Sequence, residues 1–298
     1  MIIDTNLRKM IQQALKEDIG AKDITTTSVL LKSKKGKFIL TAMEDCVVCG
    51  LDIAEAVFEI VDAVVRFKPV VNDGMQVLDG KAIAYVEGPC WSILPAERTA
   101  LNFLSWLSGI STLTSKYVEA VKDTRAKIFD TRKTTPGYRK LEKHAVRMGG
   151  GSNHRMGLYD QILVKDNHLL SLTLEPAMIK NQKDALISAI KSAKTNAPKG
   201  KRIEVEIDSL DMLKIALEHN PDIIMLDNMG VDKIREAVKI RDAYRVKVGD
   251  VGFKVMLEVS GNVGLNSVRE IAECGVDMIS VGALTHSAPA VDISLDVQ

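Results

Sequence analysis

The chain has little net charge and no long apolar run. Its 298 residues carry a formal net charge of +1, so bulk electrostatics favour neither nucleic acid nor an anionic membrane as a partner. The longest uncharged run, residues 99–115, contains Ser, Thr, Asn and Gly and is too short to predict a membrane span. The opening MIIDTNLRKM lacks the features of a signal peptide. We therefore expect a cytoplasmic protein with no nucleic-acid or membrane partner.

Cysteine is also scarce, and its four positions show no disulfide framework. Cys46 and Cys49 form a C-x-x-C motif, but this motif lies in the apolar run DCVVCGLDIA without a second pair or a nearby histidine. Buried packing is therefore favoured over a zinc or redox role. A reducing compartment fits this pattern.

Positive charge is nevertheless concentrated in one stretch, residues 130–155. It carries seven cations against two acids, which is a net charge of +5 and leaves −4 for the rest of the chain. A localised field of this kind suits a small, highly charged anion better than a long polymer. Three of the cations, Lys140, Lys143 and Arg147, have helical spacing and are expected to form a solvated face, with His144 structural.

Two patterns divide the chain. The first half has a helical segment from about Thr5 to Glu17, then short β-like runs separated by Asp-Gly pairs, which are typical of hairpins. A helical stretch over about 95–122 follows. Beyond it, six apolar runs alternate with helical segments, which predicts a parallel sheet, either open or closed into a barrel.

Polar groups follow each of the six apolar runs. Because the carboxyl ends of parallel strands meet at one edge of a sheet, these groups are expected to share one mouth. The last two runs end in SGN and VGALTHS, glycine-containing turns of the kind that bind phosphate. Acids Glu206 and Asp227 suit sugar hydroxyls or a hydrated Mg²⁺. The cationic candidates are Arg132, Lys133, His154, Arg155 and Lys165. They are more than one phosphate needs, which indicates that the site binds a second anion.

With DTRKTTPG, GGGSNHRMGLYD, LVKDNH, EVEIDSL, MLDNM and ISVGALTHSAP in the same order, the chain resembles quinolinate phosphoribosyltransferases over nearly its whole length. The resemblance implies an N-terminal α/β sandwich, residues 1–108 completed by about 287–298, and an open, incomplete α/β barrel, residues 109–286. It also implies a homodimer or higher oligomer in which Arg98 reaches the neighbouring site.

The resemblance assigns site residues one by one. Those implied for quinolinate are Arg98, Thr131, Arg132, Lys133, His154, Arg155 and Lys165. Those implied for phosphoribosyl pyrophosphate are Lys165, Glu206, Asp227, Ser260, Gly261, Asn262, Gly282, Ala283 and His286. Catalytic roles fall on Lys133, Lys165, Glu206 and Asp227, with Mg²⁺ as cofactor near Glu206 and Asp227. One departure is the turn SGN, which reads SGG in many relatives and places a side chain near the expected phosphate.

The implied reaction joins quinolinate to phosphoribosyl pyrophosphate and releases pyrophosphate and CO₂, giving nicotinate mononucleotide for NAD biosynthesis. Three alternatives remain at this level. A related transferase could use another aromatic acid or an unknown acceptor. A barrel aldolase could use Lys165 as a Schiff-base lysine, although this would not explain the arginines. A non-catalytic protein could bind the sugar phosphate, but the retained acids argue against it.

Overall fold

The computed structural model describes residues 2–174, 179, 181–249 and 253–298. These residues form two compact units. The first comprises residues 1–115, 141–150 and 287–298, and the second comprises residues 116–140 and 151–286. Residues 109–115 and 141–150 belong to the first unit, and the domain boundaries expected from the sequence stay a prediction.

Eleven elements lie wholly or mainly in the first unit. In chain order they are α1 (Thr5–Ile19), α2 (Ile24–Val29), β1 (Lys35–Ala42), β2 (Cys46–Val47), α3 (Leu51–Val61), β3 (Arg66–Pro69), β4 (Gln76–Val77), β5 (Ala82–Pro89), α4 (Cys90–Ala120), α5 (Arg139–Met148) and β12 (Ile293–Val297). Helix α1 begins where Asp4 accepts a hydrogen bond from the Leu7 backbone, and it ends at Gly20, whose φ is 59°.

An antiparallel sheet in the order β12-β1-β5-β3 forms the centre of the first unit. The last strand of the chain pairs with the first, from Phe38 opposite Val297 to Ala42 opposite Ile293. Phe38, Leu40 and Ala42 are buried while the residues between them are partly exposed, so β1 buries one face.

The Asp-Gly pairs do form turns, but these turns do not make hairpins. Gly74 and Gly80 have φ values of 87° and 73°, as expected for such turns. The short strand between them, β4, pairs with β2, whereas β3 pairs with β5. The hairpin expectation was therefore wrong, because long-range pairing and not turn chemistry selected the partners.

The second unit contains a parallel sheet of six strands. In chain order its elements are β6 (Lys127–Phe129), β7 (Ile162–Val164), α6 (Asp166–Thr173), α7 (Gln182–Asn196), β8 (Ile203–Ile207), α8 (Leu210–Glu218), β9 (Ile223–Asp227), α9 (Val231–Val248), β10 (Met256–Ser260), α10 (Leu265–Glu273), β11 (Met278–Ser280) and α11 (Ala283–His286). The strand order is β6-β11-β10-β9-β8-β7, so β6 and β7 are the two edges. Alternating strands and helices with unjoined edges fit an incomplete α/β barrel.

Within the described part of the chain, no helix is both long and apolar enough to cross a membrane.

Candidate active site

A cavity of about 600 Å³ opens at the carboxyl ends of the parallel strands. Its lining combines cations, acids and a glycine turn, as expected from the ends of the six apolar runs. The lining residues are Thr131, Arg132, Lys133, His154, Arg155, Leu163, Lys165, Glu206, Met225, Asp227, Asn228, Glu258, Ser260, Gly261, Asn262 and Ser280.

Two guanidinium groups in the cavity wall are short of partners. Arg155 is 6% exposed, and its Nε and the Nε of Arg132 are buried without a hydrogen-bond partner among the described residues. Burial lowers the pKa of Arg155, and the positive charge of Arg132 lowers it further. Neighbouring like charges with buried, unused donors are costly unless an anion compensates them. This pair therefore marks an anion site.

The two lysines of the cavity differ in their surroundings. Lys133 is exposed, and its backbone is fixed because Thr285 Oγ1 donates to its carbonyl at 2.7 Å. A Cβ at Gly282 would lie 3.1 Å from Lys133 Cδ, so glycine leaves room for this side chain. Lys165 Nζ forms an ion pair with Glu206 Oε2 at 2.8 Å. A Schiff-base role would need a free amine at Lys165, so this contact counts against the aldolase alternative.

The acids lie on neighbouring strands β8 and β9. Glu206 and Asp227 both line the cavity, and Asp227 accepts a hydrogen bond from Asn228 Nδ2 at 2.8 Å. Hard carboxylate oxygens beside a cavity that suits phosphates are the donor type that Mg²⁺ uses, together with water and substrate oxygens. The donor set therefore fits the expected cofactor.

The turn Ser260-Gly261-Asn262 lies beside these acids. Gly261 has a φ of 95°, and a Cβ there would come within 2.2 Å of Asn228 Oδ1, so only glycine fits. Asn262 has a φ of 51°, a left-handed conformation that asparagine tolerates. Its side chain donates to Asn228 Oδ1 at 3.2 Å. The departure from SGG thus preserves the turn and ties the extra side chain to its neighbour.

Two lining residues, His154 and Glu258, belong to a buried group that also contains Glu204 and that we call the His154 cluster. His154 Nε2 is 3.1 Å from Glu204 Oε2 and 3.4 Å from Glu258 Oε2, and both glutamates are 0% exposed. Burial alone lowers the pKa of His154, but the two acids outweigh it and raise the pKa. Burial and the charge of Glu258 raise the pKa of Glu204. Both Glu258 oxygens lack a hydrogen-bond partner among the described residues.

A second buried group, the Cys49 cluster, lies in the first unit and consists of Cys49, Asp73 and His144. Asp73 Oδ1 accepts from the backbone N–H groups of Gly50 and Leu51 at 3.0 and 3.1 Å. Its Oδ2 lies 3.3 Å from His144 Nε2 and accepts from Cys49 Sγ at 3.9 Å. Both oxygens of Asp73 are therefore satisfied by protein groups at the start of α3, which supports a structural reading of His144.

The remaining sequence expectations at these positions have mixed outcomes. All four cysteines are free and buried, as expected for packing. The positive stretch is divided, because residues 141–150 belong to the first unit and the rest to the second. Lys140 and Arg147 are exposed as expected, but Lys143 is 1% exposed beside Glu142 at 0%, so its assignment to a solvated face was wrong. Helical spacing shows which residues share a face of α5, but it does not reveal whether the rest of the protein covers that face.

Four residues implied by the resemblance do not line this cavity. Gly282, Ala283 and His286 lie just beyond β11, and a Cβ at Gly282 would lie 3.1 Å from His286 Nε2. Arg98 is exposed on α4 in the first unit. The expected role of Arg98 in a neighbouring subunit stays a prediction.

Comparison with known families accounts for nearly the whole chain. The model described as "Quinolinate phosphoribosyl transferase, N-terminal domain" matches residues 23–108. The corresponding C-terminal domain model matches residues 110–296. The chain belongs to the quinolinate phosphoribosyltransferase family.

Individual relatives of this family agree in length and fold. The chain is 40% identical to a probable nicotinate-nucleotide pyrophosphorylase [carboxylating] of Methanocaldococcus jannaschii over 291 residues, covering 97% of this chain and 96% of the relative. It is 39% identical to the Mycobacterium leprae protein over 293 residues, covering 97% and 96%. The solved structure from Ehrlichia chaffeensis is 37% identical, with a TM-score of 0.87 and complete coverage of both chains.

Some residues of this quinolinate phosphoribosyltransferase site were missed by the reasoning from sequence. Glu258 and Ser280 line the cavity but were not expected there. Glu258 had a usable signal, because it lies two residues before Ser260 on β10 and side chains two apart share one face of a strand. Glu204 stands in the same relation to Glu206 on β8.

Proposed function

We propose that this protein is a pentosyltransferase that joins quinolinate to phosphoribosyl pyrophosphate. The products are nicotinate mononucleotide, pyrophosphate and CO₂, a step of NAD biosynthesis. The observation that carries the proposal is the pair Arg132 and Arg155. These neighbouring cations line one cavity, and their Nε atoms lack hydrogen-bond partners among the described residues. A dicarboxylate supplies two anionic groups for this pair, and guanidinium forks match carboxylates in geometry.

The pocket acts first by orientation. With its carboxylates held by Arg132, Arg155 and the nearby lysines, quinolinate presents its ring nitrogen to the anomeric carbon of the sugar. The turn at Gly261 holds the 5′-phosphate through backbone N–H groups at the end of β10. Fixing both substrates in line removes much of the entropic barrier to a reaction between two molecules.

The acids then stabilise charge. As the bond to pyrophosphate breaks, positive charge grows on the sugar, and Glu206 and Asp227 in the cavity wall favour that charge electrostatically. Lys165 is paired with Glu206 and so links the cationic end of the cavity to the acidic end. No nucleophile–base pair is needed, because positioning and charge account for the step.

Decarboxylation follows from the first step. N-glycosylation makes the ring a pyridinium, which accepts the electron pair left on C2 when the adjacent carboxylate departs as CO₂. A proton then replaces the carboxylate at C2. The second carboxylate is retained and stays bound to the cations as the product forms.

Mg²⁺ is the cofactor we propose, with Glu206 and Asp227 holding it directly or through water. When bound, it neutralises charge on the diphosphate of the sugar donor. We also propose a cytoplasmic homodimer or larger oligomer in which Arg98, exposed on α4, adds a cation to the neighbouring site.

A direct assay tests the function. Purified protein is incubated with quinolinate carrying a labelled C2 carboxylate, phosphoribosyl pyrophosphate and Mg²⁺. We expect nicotinate mononucleotide and labelled CO₂ in equal amounts. If the sugar donor binds but neither product forms, the proposed acceptor is wrong. Omitting Mg²⁺, with a chelator present, tests the cofactor, and full activity without metal would contradict that part.

A further inference from the structure

Arg155 and three other buried residues form a closed ring of polar contacts. Arg155 Nη1 donates to the Gln161 carbonyl at 3.1 Å, and Gln161 Nε2 donates to Glu204 Oε2 at 2.5 Å. The same Glu204 oxygen lies 3.1 Å from His154 Nε2. The circuit closes where the Arg155 backbone N–H donates to His154 Nδ1 at 2.8 Å. We call these residues, Arg155, Gln161, Glu204 and His154, the Arg155 circuit.

The circuit fixes the histidine ring. The two acids raise the pKa of His154 and so favour a proton on both ring nitrogens, but the Arg155 N–H, which donates to Nδ1, opposes a proton there. We therefore place the ring proton on Nε2, where it faces Glu204 and Glu258. A proton on Nδ1 would oppose the N–H of Arg155 and break the circuit. Asp130 holds the same segment, since its Oδ1 accepts from the His154 backbone at 2.8 Å. The conformation of residues 154 and 155 is therefore set by three buried acids: Glu204 on β8, Glu258 on β10 and Asp130 just after β6.

The circuit also leaves one guanidinium nitrogen of Arg155 without a partner among the described residues. Nη1 of Arg155 is engaged by Gln161, whereas its Nε has no partner among the described residues and Arg155 lines the cavity. An arginine side chain that is already held in one rotamer loses little further freedom when a ligand binds. A circuit of this kind therefore prepares Arg155 for a carboxylate.

We infer that Gln161 and Glu204 are positioning residues, which hold Arg155 for the aromatic diacid through the Arg155 circuit. This rests on the proposed function, because it assigns the quinolinate carboxylate to Arg155. Neither residue lines the cavity, so we expect them to act through Arg155 and to affect only the substrate that Arg155 holds. Loss of the circuit weakens quinolinate binding and leaves the sugar donor unaffected.

The first test replaces Gln161 with methionine, which has similar length but no amide. We expect the KM for quinolinate to rise about tenfold, as for loss of one buried hydrogen bond. The KM for phosphoribosyl pyrophosphate and kcat are expected to stay within about threefold, and Tm within a few degrees. Gln13→Met, at an exposed position on α1, is the matched control and is expected to match the wild type. Unchanged kinetics in Gln161→Met, or equal rises in both KM values with a lower Tm, would overturn the proposal.

The second test asks whether the side chain at position 204 acts through its hydrogen-bond acceptor or only through its size. Glu204→Gln keeps an oxygen that accepts from Gln161, whereas Glu204→Met removes it. We expect the KM for quinolinate to be near the wild-type value in the first variant and about tenfold higher in the second. Similar KM values in the two folded variants would contradict a positioning role.

The third test does not depend on turnover. ¹⁵N NMR of the full protein, labelled in its five histidines, reports which ring nitrogen of His154 carries the proton. We expect protonation at Nε2 with Nδ1 unprotonated in the wild type, and loss of this signature in Glu204→Met. A proton on Nδ1 of the wild type would overturn the circuit. If the wild type makes no nicotinate mononucleotide, the proposed function fails, and this measurement still decides the circuit.

Discussion

The two units each contain a buried cluster of a histidine with carboxylate or thiol groups, and the two clusters differ in how their polar atoms are satisfied. In the Cys49 cluster, Asp73 receives two backbone N–H groups, a histidine and a thiol. In the His154 cluster, Oε1 of Glu204 and Oε1 of Glu258 have no hydrogen-bond partner among the described residues, and Oε2 of Glu258 has only the long ion-pair contact with His154 Nε2 at 3.4 Å. Similar residue types thus serve different purposes.

The comparison shows that hydrogen-bond satisfaction separates a structural cluster from one beside a binding site. A fully bonded carboxylate stabilises the backbone around it and has nothing left to offer a ligand. Unsatisfied buried groups cost stability and persist where a site needs them. The His154 cluster is of the second type, because Glu258 lines the cavity.

The largest effect is expected on the cavity side. Arg155→Ala removes a buried cation that we assign to a substrate carboxylate, so kcat/KM should fall about 10²- to 10³-fold. The matched control is Arg147→Ala, at an exposed position on α5, with unchanged kinetics expected. A loss below about tenfold in Arg155→Ala would remove the contrast between the clusters.

Lys133→Ala should have a smaller effect, because Lys133 is exposed. Loss of one charge-assisted contact costs about 1.5–3 kcal/mol, which corresponds to roughly a tenfold to few hundredfold fall in kcat/KM. Steady-state kinetics with both substrates measure it. Wild-type behaviour would refute the role assigned to Lys133.

The Cys49 cluster should respond in stability and not in catalysis. Asp73→Ala leaves the Gly50 and Leu51 N–H groups at the start of α3 without their acceptor and is expected to cost about 2–4 kcal/mol of unfolding free energy. Chemical denaturation measures this, and the KM for quinolinate of the folded variant should not change. A raised KM for quinolinate at unchanged stability would show that the Cys49 cluster serves substrate binding and not the fold.

The Asp73 carboxylate also predicts that the unfolding free energy depends on pH. Burial alone raises the pKa of Asp73, but hydrogen bonds from His144, Leu51 and Gly50 outweigh it and hold the pKa below 3.8. The resulting stabilisation is present above the unfolded value of 3.8 and is lost as pH falls through the lower folded value. Unfolding free energies measured from pH 6 downwards should therefore converge for wild type and Asp73→Asn at the acidic end. A constant difference at every pH would contradict this linkage.

The smallest effect is expected at the phosphate turn. Asn262→Gly removes an exposed hydrogen bond to Asn228 but retains a residue that adopts a φ of 51° readily. We expect the KM for phosphoribosyl pyrophosphate to change by less than about threefold, since one exposed hydrogen bond contributes little. A large fall in KM would show that the asparagine side chain obstructs the phosphate.

Most of the candidate site could be predicted from the sequence, because it depends on strand ends. Arg132, Lys165, Glu206 and Asp227 each follow or end an apolar run, and parallel strands bring such positions together. Asp-Gly pairs were less informative, since they fix a local turn and not the strand that pairs beside it. Lys143 shows the same limit for helices, because spacing gives the face but not what covers it.

The sequence by itself determined the alternation of strands and helices, the family and the residue types at the cavity, because these follow from local periodicity and from motifs in register. The tertiary structure alone decided which buried polar atoms find partners. Gln161, Glu204 and His154 are up to 50 residues apart in the chain, yet Glu204 meets both of the others at one oxygen. Hydrogen bonds form between atoms within about 3 Å of each other, and only the folded chain sets those distances.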